Sequence, residues 1–332
     1  MSNQLCDISR LLRFKALCKD APRQLAPSRG LYPSGQFIKV AGQPYGKCPR
    51  SVYYEAKFPE KKKVNFRLTG MAHMGNRIED MLIDFTKEIG AYITSQLSIV
   101  DPVGYWSGKA DIIVNPFEFE DYKTRANIKI DYTKFIPVEI KSVWGYVGTK
   151  GVIKGNSKIK NSPKPNAVIQ LALYLDYLQR HGYDSPYGVI WYMSRDEGET
   201  MSYKLTIEHR TMPDNTIRRY IRIDDELYHN FTIESIIEQN LHTKNCIDND
   251  IVPPREYTLQ YDKDRLKRMA QNEELNKEDT ALVAKDRFVE KGDVECAYCD
   301  FSEHCYSSLA RSEADVKQQL YLDTDKILHG AG

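Results

Sequence analysis

A glutamate and a lysine lie two residues apart in the apolar run FIPVEIKSVWG, residues 135–145. Side chains alternate between the two faces of a strand, so Glu139 and Lys141 share one face, while Val138 and Ile140 point to the other, where we expect a core. Burying a charge costs several kcal/mol unless a partner or a metal ion satisfies it. The pattern therefore predicts a site at Glu139 and Lys141. An ion pair at a strand edge is the alternative interpretation.

Asp111 is the second candidate acid, in the strand-like segment GKADIIV, 28 residues before Glu139. Gly108 precedes it by three residues and predicts a tight turn of the backbone. If the two strands are neighbours, the carboxylates converge, and they repel unless one is protonated or a cation lies between them. Mg²⁺ suits such a site because it takes few carboxylates and keeps waters, which it makes more acidic. Lys141 would orient such a water or stabilise charge that develops on a phosphate.

These residues carry a family resemblance. The pattern G-x-x-D, then E-x-K on the next strand, then a helix with a glutamine, resembles the PD-(D/E)XK nuclease superfamily and most closely its RecB-like branch. The resemblance implies that Asp111, Glu139 and the backbone carbonyl of Ile140 bind Mg²⁺ or Mn²⁺, and that Lys141 is catalytic. The sequence departs from the name-giving motif at Ala110, which stands where a proline often precedes the first acid.

Two further motifs of the branch have matches in this chain. An acid or histidine on a preceding helix, four residues after a glycine, completes the metal site, and Gly75 and Glu79 have that spacing. His73 is the less suitable substitute, and an exposed helix charge is the alternative interpretation of Glu79. A glutamine followed four residues later by a tyrosine matches Gln170 and Tyr174, which the resemblance assigns to DNA binding. The alternative for this pair is the polar edge of a core helix.

Three of the seven cysteines fall within ten residues in CAYCDFSEHC, residues 296–305, with the spacing C-x2-C-x5-C. In a reducing compartment such a group is more often a metal site than a disulfide framework. A tetrahedral site needs a fourth thiolate, and Cys48, which opens a predicted helix, is the best candidate. The remaining cysteines are expected to be ordinary thiols: Cys6, Cys18 and Cys246.

Iron–sulfur members of the RecB-like branch combine one N-terminal cysteine with a C-terminal C-x2-C-x5-C; they include AddB-type recombination nucleases and CRISPR adaptation exonucleases. The resemblance therefore implies a 4Fe–4S cluster on four ligands: Cys48, Cys296, Cys299 and Cys305. Structural Zn²⁺ is the rival, since four thiolates also suit zinc, and His304 would serve in a Cys₃His site. Reduced thiols without a metal are the third possibility.

DNA contacts are expected between the E-x-K strand and the glutamine helix. The stretch Ser142 to Leu175 has no acidic residue and contains five lysines: Lys150, Lys154, Lys158, Lys160 and Lys164. Lysines at the mouth of the site would neutralise phosphates, and Trp144, Tyr146 and Tyr174 would stack on unpaired bases. A solvated loop with core aromatics is the alternative. No base-reading motif is present, so we expect little sequence specificity.

The composition limits the classes of function that the chain can have. The 332 residues are 41% hydrophobic and carry a formal net charge of +1, so the chain has a core and is not a strongly basic nucleic-acid binder as a whole. No apolar run approaches the roughly 20 residues of a membrane span, and residues 1–17 lack the apolar segment of a secretory signal. A cytoplasmic protein without a membrane partner is expected. The chain has no Walker-type phosphate loop, which excludes a helicase motor.

The order of predicted elements indicates an α/β fold: a restriction-endonuclease-like core with a central mixed sheet flanked by helices, plus a helical extension and a cysteine-ligated iron–sulfur subdomain. We expect residues 21–47 and 117–134 to be irregular and residues 217–242 to be helical. The predicted domains are an N-terminal helical segment carrying Cys48 (1–60), the nuclease core (61–210), a helical, charged extension (211–290) and the C-terminal cysteine region (291–332).

The expected function is a Mg²⁺- or Mn²⁺-dependent DNA exonuclease that prefers single strands or DNA ends and serves recombination, repair or phage DNA processing. A recombination or replication protein is the expected protein partner. A sequence-non-specific endonuclease with the same site is one alternative. A DNA-binding or scaffold subunit that retains the nuclease fold without using it is another. A redox iron–sulfur protein has no second cluster motif in its favour.

Overall fold

The computed structural model describes residues 32–58, 66–121, 126–145, 149–155, 161–272, 274–297 and 299–307; within these ranges the side chains of 34, 66–74, 121, 126, 127, 150, 303 and 307 are left aside. Contacts divide the chain into two units that alternate along the sequence. The sheet unit consists of Met1–Lys47 and Val64–Ile251, and the cysteine unit consists of Cys48–Lys63 and Val252–Gly332.

The strands, in chain order, are β1 (Phe37–Val40), β2 (Gln43–Gly46), β3 (Tyr92–Asp101), β4 (Trp106–Val114), β5 (Phe117–Asp121), β6 (Ala126–Ile130), β7 (Ile136–Val143), β8 (Gly188–Ser194), β9 (Thr200–Thr211), β10 (Ile217–Ile223) and β11 (Glu226–Thr232). The α-helices are α1 (Pro49–Lys57), α2 (Phe66–Glu88), α3 (Pro165–Arg180), α4 (Ile233–Asp248), α5 (Lys263–Gln271), α6 (Lys277–Ala284), α7 (Val294–Ala297) and α8 (Ser302–Ser307). A 3₁₀ turn (Pro33–Gly35) precedes β1, and a π-helical turn (Lys150–Lys154) follows β7.

A seven-stranded sheet forms the centre of the sheet unit, in the order β11-β10-β9-β8-β7-β4-β3. Neighbouring strands are antiparallel except for β7 and β8, which are parallel. A parallel pair needs a crossover connection, and α3 supplies it between the two strands. The prediction of an α/β fold with a large mixed sheet flanked by helices is therefore confirmed.

Hydrophobic clusters cover both faces of this sheet. On one face, Val138 and Ile140 pack with Ile112 and with Ile83 of α2, so the predicted inward direction of Val138 and Ile140 is confirmed. On the other face, α3 and α4 pack over the larger cluster. Helix α3 is buried along most of its length because apolar residues occupy nearly every position between Ala167 and Leu178. Glu139 and Lys141 therefore lie on a covered face of the sheet.

The prediction of a helix over residues 217–242 is wrong for 217–232, which forms the antiparallel hairpin of β10 and β11. The turn residues Asp224 and Asp225 both have positive φ, 47° and 67°. Two consecutive positive φ angles match the twist of a two-residue hairpin turn. The sequence IRRYIRI allows an amphipathic helix as well as a strand, and pairing with β9 decides between them.

Two segments that we predicted to be irregular contain small hairpins. Strands β1 and β2 pair within residues 21–47, with Ala41 and Gly42 at positive φ in the turn. Strands β5 and β6 pair within residues 117–134. The irregular prediction is wrong for these strands, because three of them, FIKV, FEFED and ANIKI, contain the aromatic and β-branched residues that favour strands and gain stability from cross-strand pairs.

The cysteine unit is helical and has its own small cluster of buried side chains: Tyr261, Leu266, Leu275 and Val289. Helix α1 begins directly after Cys48, as predicted. Asp262 and Asn276 cap α5 and α6 by accepting hydrogen bonds from backbone N–H groups three residues ahead. Within the described parts of both units, no helix has the length and apolar character that crossing a membrane requires.

Candidate functional site

The candidate acids meet where β4 and β7 separate. The two strands pair through Ile112 and Val138, Ile113 and Pro137, and Val114 and Ile136, and the pairing ends at Val138. Beyond that point the Asp111 carboxylate takes the place of a backbone partner, because its Oδ2 accepts a hydrogen bond from the Ile140 N–H at 2.8 Å. The strands thus form a wedge (Asp111 on β4, Glu139 to Lys141 on β7). They are neighbours, which is the condition under which we expected Asp111 and Glu139 to converge.

Glu139 is fully buried in this wedge. Lys141, about a third exposed, contacts Glu139 Oε1 as an ion pair, so the two charges share one face as predicted. Neither carboxylate oxygen of Glu139 accepts a hydrogen bond of good geometry from the described residues. Buried carboxylate oxygens normally have several donors, so Glu139 has free capacity for a cation.

Gln170 and Tyr174 of α3 hold Lys141 in place. The Lys141 ammonium donates to Gln170 Oε1 at 3.4 Å, and Gln170 Nε2 donates to the Tyr174 hydroxyl at 3.3 Å. The Tyr174 hydroxyl donates to the backbone carbonyl of Lys109 on β4 at 2.8 Å. This chain of hydrogen bonds connects β7, α3 and β4, which fixes the width of the wedge.

Burial corrects two expectations about this helix. Tyr174 is 1% exposed, so its predicted stacking on unpaired bases is wrong. Gln170 is also buried, and its contacts serve Lys141 instead of an outside ligand. Gly108 lies within β4 and makes no turn there. A Cβ at Gly108 would lie 2.6 Å from the Tyr174 hydroxyl and 2.7 Å from Pro33 Cδ, so the glycine permits close packing.

Glu79 lies on α2, at the edge of the same pocket, whose lining residues are Gly75, Asn76, Glu79, Asp111, Ile140, Lys141, Ser142 and Arg195. Its Oε1 accepts a hydrogen bond from Gln96 Nε2 on β3. Gln96 has φ of +50° and lies between the β3–β4 pairs that flank Asp111. The structure therefore brings Glu79 together with Asp111, while the side chain of His73 is outside the described residues.

Glu79 and Asp111, which line the pocket, and Glu139, which is buried beside it, all hold protons more strongly than ordinary carboxyls. Burial raises the pKa of Glu139 to about 8, with Lys141 opposing and Asp111 adding to the shift. Burial also raises the pKa of Asp111, against the Lys141 charge and the Ile140 N–H, and the pKa of Glu79, against its Gln96 hydrogen bond. Burial alone lowers the pKa of Lys141, but Glu139 and Asp111 outweigh it and the net shift is upward. The pocket is therefore a poorly solvated group of acids that a cation stabilises.

The described side chains include no ready-made group of three or more His, Cys, Asp or Glu residues that could hold a metal ion. The donor chemistry nevertheless fits Mg²⁺ or Mn²⁺, which take carboxylate and carbonyl oxygens and retain water. The observation that supports this fit is the buried Glu139 carboxylate, whose Oε1 has Lys141 as its ion-pair partner and whose Oε2 accepts no hydrogen bond from the described residues. Small side-chain rotations of Asp111 and Glu79 would be part of binding.

Arg195 and Ser142 line the pocket and were missed by the sequence analysis. Both Nε and Nη2 of Arg195 donate to the Ser142 hydroxyl, at 2.9 and 2.6 Å. The Arg195 backbone N–H donates to the carbonyl of Val143, which ties the end of β8 to β7. Ser142 directly follows the E-x-K motif, but only the parallel pairing of β7 and β8 brings Arg195 to it.

The lysine-rich stretch is described only in part. Lys154 forms ion pairs with Glu197 and Glu199, at 2.6 and 3.2 Å. Its contact with a phosphate stays a prediction. Trp144 is exposed, and stacking by it stays a prediction. Other predicted contacts lie outside the described residues or side chains: Tyr146, Lys150, Lys158 and Lys160.

The cysteine unit brings its four candidate thiols to one small cavity. Its lining includes all four, Cys48, Cys296, Cys299 and Cys305, and the described cysteines are free of disulfides. Burial raises the pKa of Cys48 to about 11 and also raises that of Cys296 and Cys299, with neighbouring thiols adding to each shift. Cys296 is buried and the other three are partly buried. Four thiols in one cavity have the donor chemistry of a 4Fe–4S cluster or Zn²⁺, whose binding would release their protons, although here too the described side chains form no ready-made metal-binding group.

Two arginines contact one of these thiols. Arg255 Nε donates to Cys305 Sγ at 3.3 Å, and Arg50 Nη1 lies 3.8 Å from the same sulfur. Hydrogen bonds to the sulfur atoms are one means by which a protein tunes an iron–sulfur cluster. The His304 ring instead packs edge-on against Tyr54, with ring centroids 4.9 Å apart. It does not line the cavity, which favours four thiols over a Cys₃His set. Cys6 and Cys18 lie outside the described residues, and Cys246 is buried in the sheet unit.

Comparison with known proteins adds no relative to this picture. No protein-family model, curated protein or solved structure matches the chain. The geometry of the two sites is therefore the basis for function.

Proposed function

We propose that the protein is a Mg²⁺- or Mn²⁺-dependent DNA nuclease of the RecB-like PD-(D/E)XK type. The observation that carries the proposal is the wedge between β4 and β7, where Glu139 is fully buried beside Asp111 and, among the described residues, Lys141 is the ion-pair partner of one carboxylate oxygen while the other accepts no hydrogen bond. A buried ion pair alone satisfies a carboxylate poorly. The incompletely satisfied carboxylate, next to a second acid and an open pocket, supports a divalent cation at this position.

Each residue of the wedge has a defined role in this proposal. Asp111, Glu139 and the carbonyl of Ile140 would hold the cation, and Glu79 would assist from α2. A bound cation would supply polarisation of a phosphodiester and would make a water easier to deprotonate, and so a better nucleophile, at neutral pH. Lys141, held by Glu139 and Gln170, positions that water or stabilises the negative charge that develops on the phosphate. Gln170 and Tyr174 act through Lys141 and are positioning residues.

The proposed reaction is exonucleolytic cleavage of DNA, with single strands or DNA ends preferred, in recombination, repair or phage DNA processing. The cysteine unit would carry a 4Fe–4S cluster on its four thiols, in a structural role. The cluster would join Cys48 to the C-terminal part of the same unit, across more than 240 residues of chain. Such a long-range crosslink removes conformational freedom from the unfolded chain.

The test is a cleavage assay on protein purified without oxygen. Linear single-stranded, linear double-stranded and closed circular DNA, each labelled, are incubated with Mg²⁺ or Mn²⁺ beside Glu139→Gln and Lys141→Ala. Metal-dependent loss of the linear substrates by the parent alone supports the exonuclease. Cleavage of circular DNA by the parent alone makes it an endonuclease with the same site. If the parent and both variants bind DNA without cleaving it, the protein is a scaffold subunit. Equal activity in all three proteins refutes the site.

A further inference from the structure

Arg195 lines the pocket beside the wedge, and its positive charge is not paired with a carboxylate of the described residues. Lys141, the other cation that lines the pocket, is an ion-pair partner of Glu139. The guanidinium of Arg195 instead donates twice to the neutral hydroxyl of Ser142. Among the described residues, Arg195 forms no ion pair with a carboxylate. A partly buried guanidinium without an anion is a prepared anion site.

The local geometry leaves this guanidinium room to bind. A guanidinium has five N–H donors in one plane, and the two bonds to Ser142 leave three. The facing residue on α2 is Gly75, where an added Cβ would lie 3.9 Å from Arg195 Nη2. The absence of a side chain at Gly75 keeps that side of the guanidinium open. Asn76, beside it, contributes an amide to the pocket lining.

We propose that Arg195, positioned by Ser142, is a phosphate-binding residue of this pocket and takes a phosphate of the DNA next to the one that is cleaved. The inference rests on the proposed function. The carboxylates of the wedge repel a phosphate unless a cation intervenes, whereas Arg195 attracts it directly, at the rim of the same pocket. A planar fork matches two phosphate oxygens. The phosphate is either a terminal monophosphate or an internal diester.

The test measures binding of a fluorescent single-stranded oligonucleotide by anisotropy in a chelator, so that no cleavage occurs, over a range of salt concentrations. Arg195→Ala is expected to weaken binding about tenfold and to reduce the slope of log K against log salt by about 0.7, one phosphate contact. Arg195→Lys is expected to keep the slope and lose affinity, since lysine retains the charge without the fork. Arg218→Ala, an exposed arginine on β10, is the control and is expected to match the parent.

Oligonucleotides with and without a 5′- or 3′-phosphate identify the source. If Arg195→Ala loses affinity only for oligonucleotides with a terminal phosphate, Arg195 binds a terminal phosphate. If it loses affinity equally for all the oligonucleotides, Arg195 binds an internal diester. A slope and affinity of Arg195→Ala equal to those of the parent overturn the inference, even if the parent cleaves DNA. An Arg195-dependent slope in a protein that never cleaves DNA keeps Arg195 as a phosphate contact and removes the nuclease. Absence of binding by the parent overturns the inference, and the cleavage assay with Mg²⁺ or Mn²⁺ then decides the nuclease separately.

Discussion

The Asp111 carboxylate accepts a hydrogen bond from the backbone N–H of Ile140, 2.8 Å away, just past the point where β4 and β7 stop pairing. One side chain thereby completes the sheet and places an acid beside Glu139. The same bond fixes the backbone of Ile140, whose carbonyl is a candidate ligand. Asp111 thus has a structural role and a proposed catalytic role, which the right substitutions separate.

Asp111→Asn and Asp111→Ala are expected to differ in stability and agree in activity. The asparagine retains an oxygen that accepts from Ile140, so its free energy of unfolding stays close to that of the parent. The alanine leaves the Ile140 N–H without its partner, which costs about 1–3 kcal/mol. Both variants lose metal-dependent cleavage. Urea unfolding in a chelator, beside a cleavage assay, checks the pair; equal stabilities would show that the hydrogen bond is unimportant.

Gly108→Ala is expected to destabilise the sheet unit by about 1–3 kcal/mol, because the new Cβ would lie 2.6 Å from the Tyr174 hydroxyl. Removing that hydroxyl with Tyr174→Phe relieves part of the clash, so the cost of Gly108→Ala falls by roughly 1 kcal/mol in the double variant. Gly75→Ala is the control: its Cβ makes only ordinary contacts, 3.7 Å from Ser142 Oγ, within a helix. Additive effects of Gly108→Ala and Tyr174→Phe would argue against this contact.

Metal-free protein is expected to lose stability as pH rises, because of Glu139. Folding raises the pKa of Glu139 from its ordinary 4.5 to about 8. A raised pKa contributes stability that is complete below the unfolded value and is lost as pH rises towards the folded value, by up to about 1.4 kcal/mol per pH unit. Glu139→Gln removes this slope. Glu139→Gln also loses the ion pair with Lys141, which shifts the whole curve of unfolding free energy against pH. The slope of that curve is therefore the quantity to compare.

Urea unfolding in a chelator between about pH 5 and 8 measures that slope. Glu238→Gln, an exposed glutamate on α4, is the control and should follow the parent. Parallel curves for Glu139→Gln and the parent would contradict the burial of an ionisable, metal-free Glu139.

Protein purified without oxygen is expected to contain iron and acid-labile sulfide and to absorb visible light. Cys296→Ser and Cys305→Ser are expected to lose this absorbance and to destabilise the cysteine unit, because its ligands are needed to hold the cluster. Cys246→Ser is the matched control, since Cys246 is a buried cysteine of the sheet unit. Zinc without visible absorbance would replace the cluster by a structural zinc site, and no metal at all would leave ordinary thiols.

Local sequence patterns predicted the parts of the site that depend on local structure. The shared face of Glu139 and Lys141 follows from the period of two in a strand. The shared helix face of Gln170 and Tyr174 follows from their spacing of four residues, about one helical turn. Helix α1 after Cys48 follows from Pro49 at its first position.

The remaining features arise from tertiary pairing. The wedge exists because the β4–β7 register ends at Val138, and no local pattern encodes that end. Gln96 reaches Glu79 from another strand, and Arg195 reaches Ser142 through the parallel β7–β8 pair. The β10–β11 hairpin was mistaken for a helix, although Asp224 and Asp225 between two alternating segments are a recognisable turn signal.

The divalent cation proposed at Glu139 is tested most directly by measuring the binding of Mn²⁺ to the wedge. Mn²⁺ is titrated into chelator-stripped protein and its free fraction is followed by electron paramagnetic resonance, for the parent, Glu139→Gln and the control Glu238→Gln, with folding checked by circular dichroism. The parent and the control are expected to remove Mn²⁺ from solution, and Glu139→Gln, equally folded, is expected to bind it far more weakly. Equal binding by all three proteins, or none by the parent, would contradict a divalent cation at Glu139.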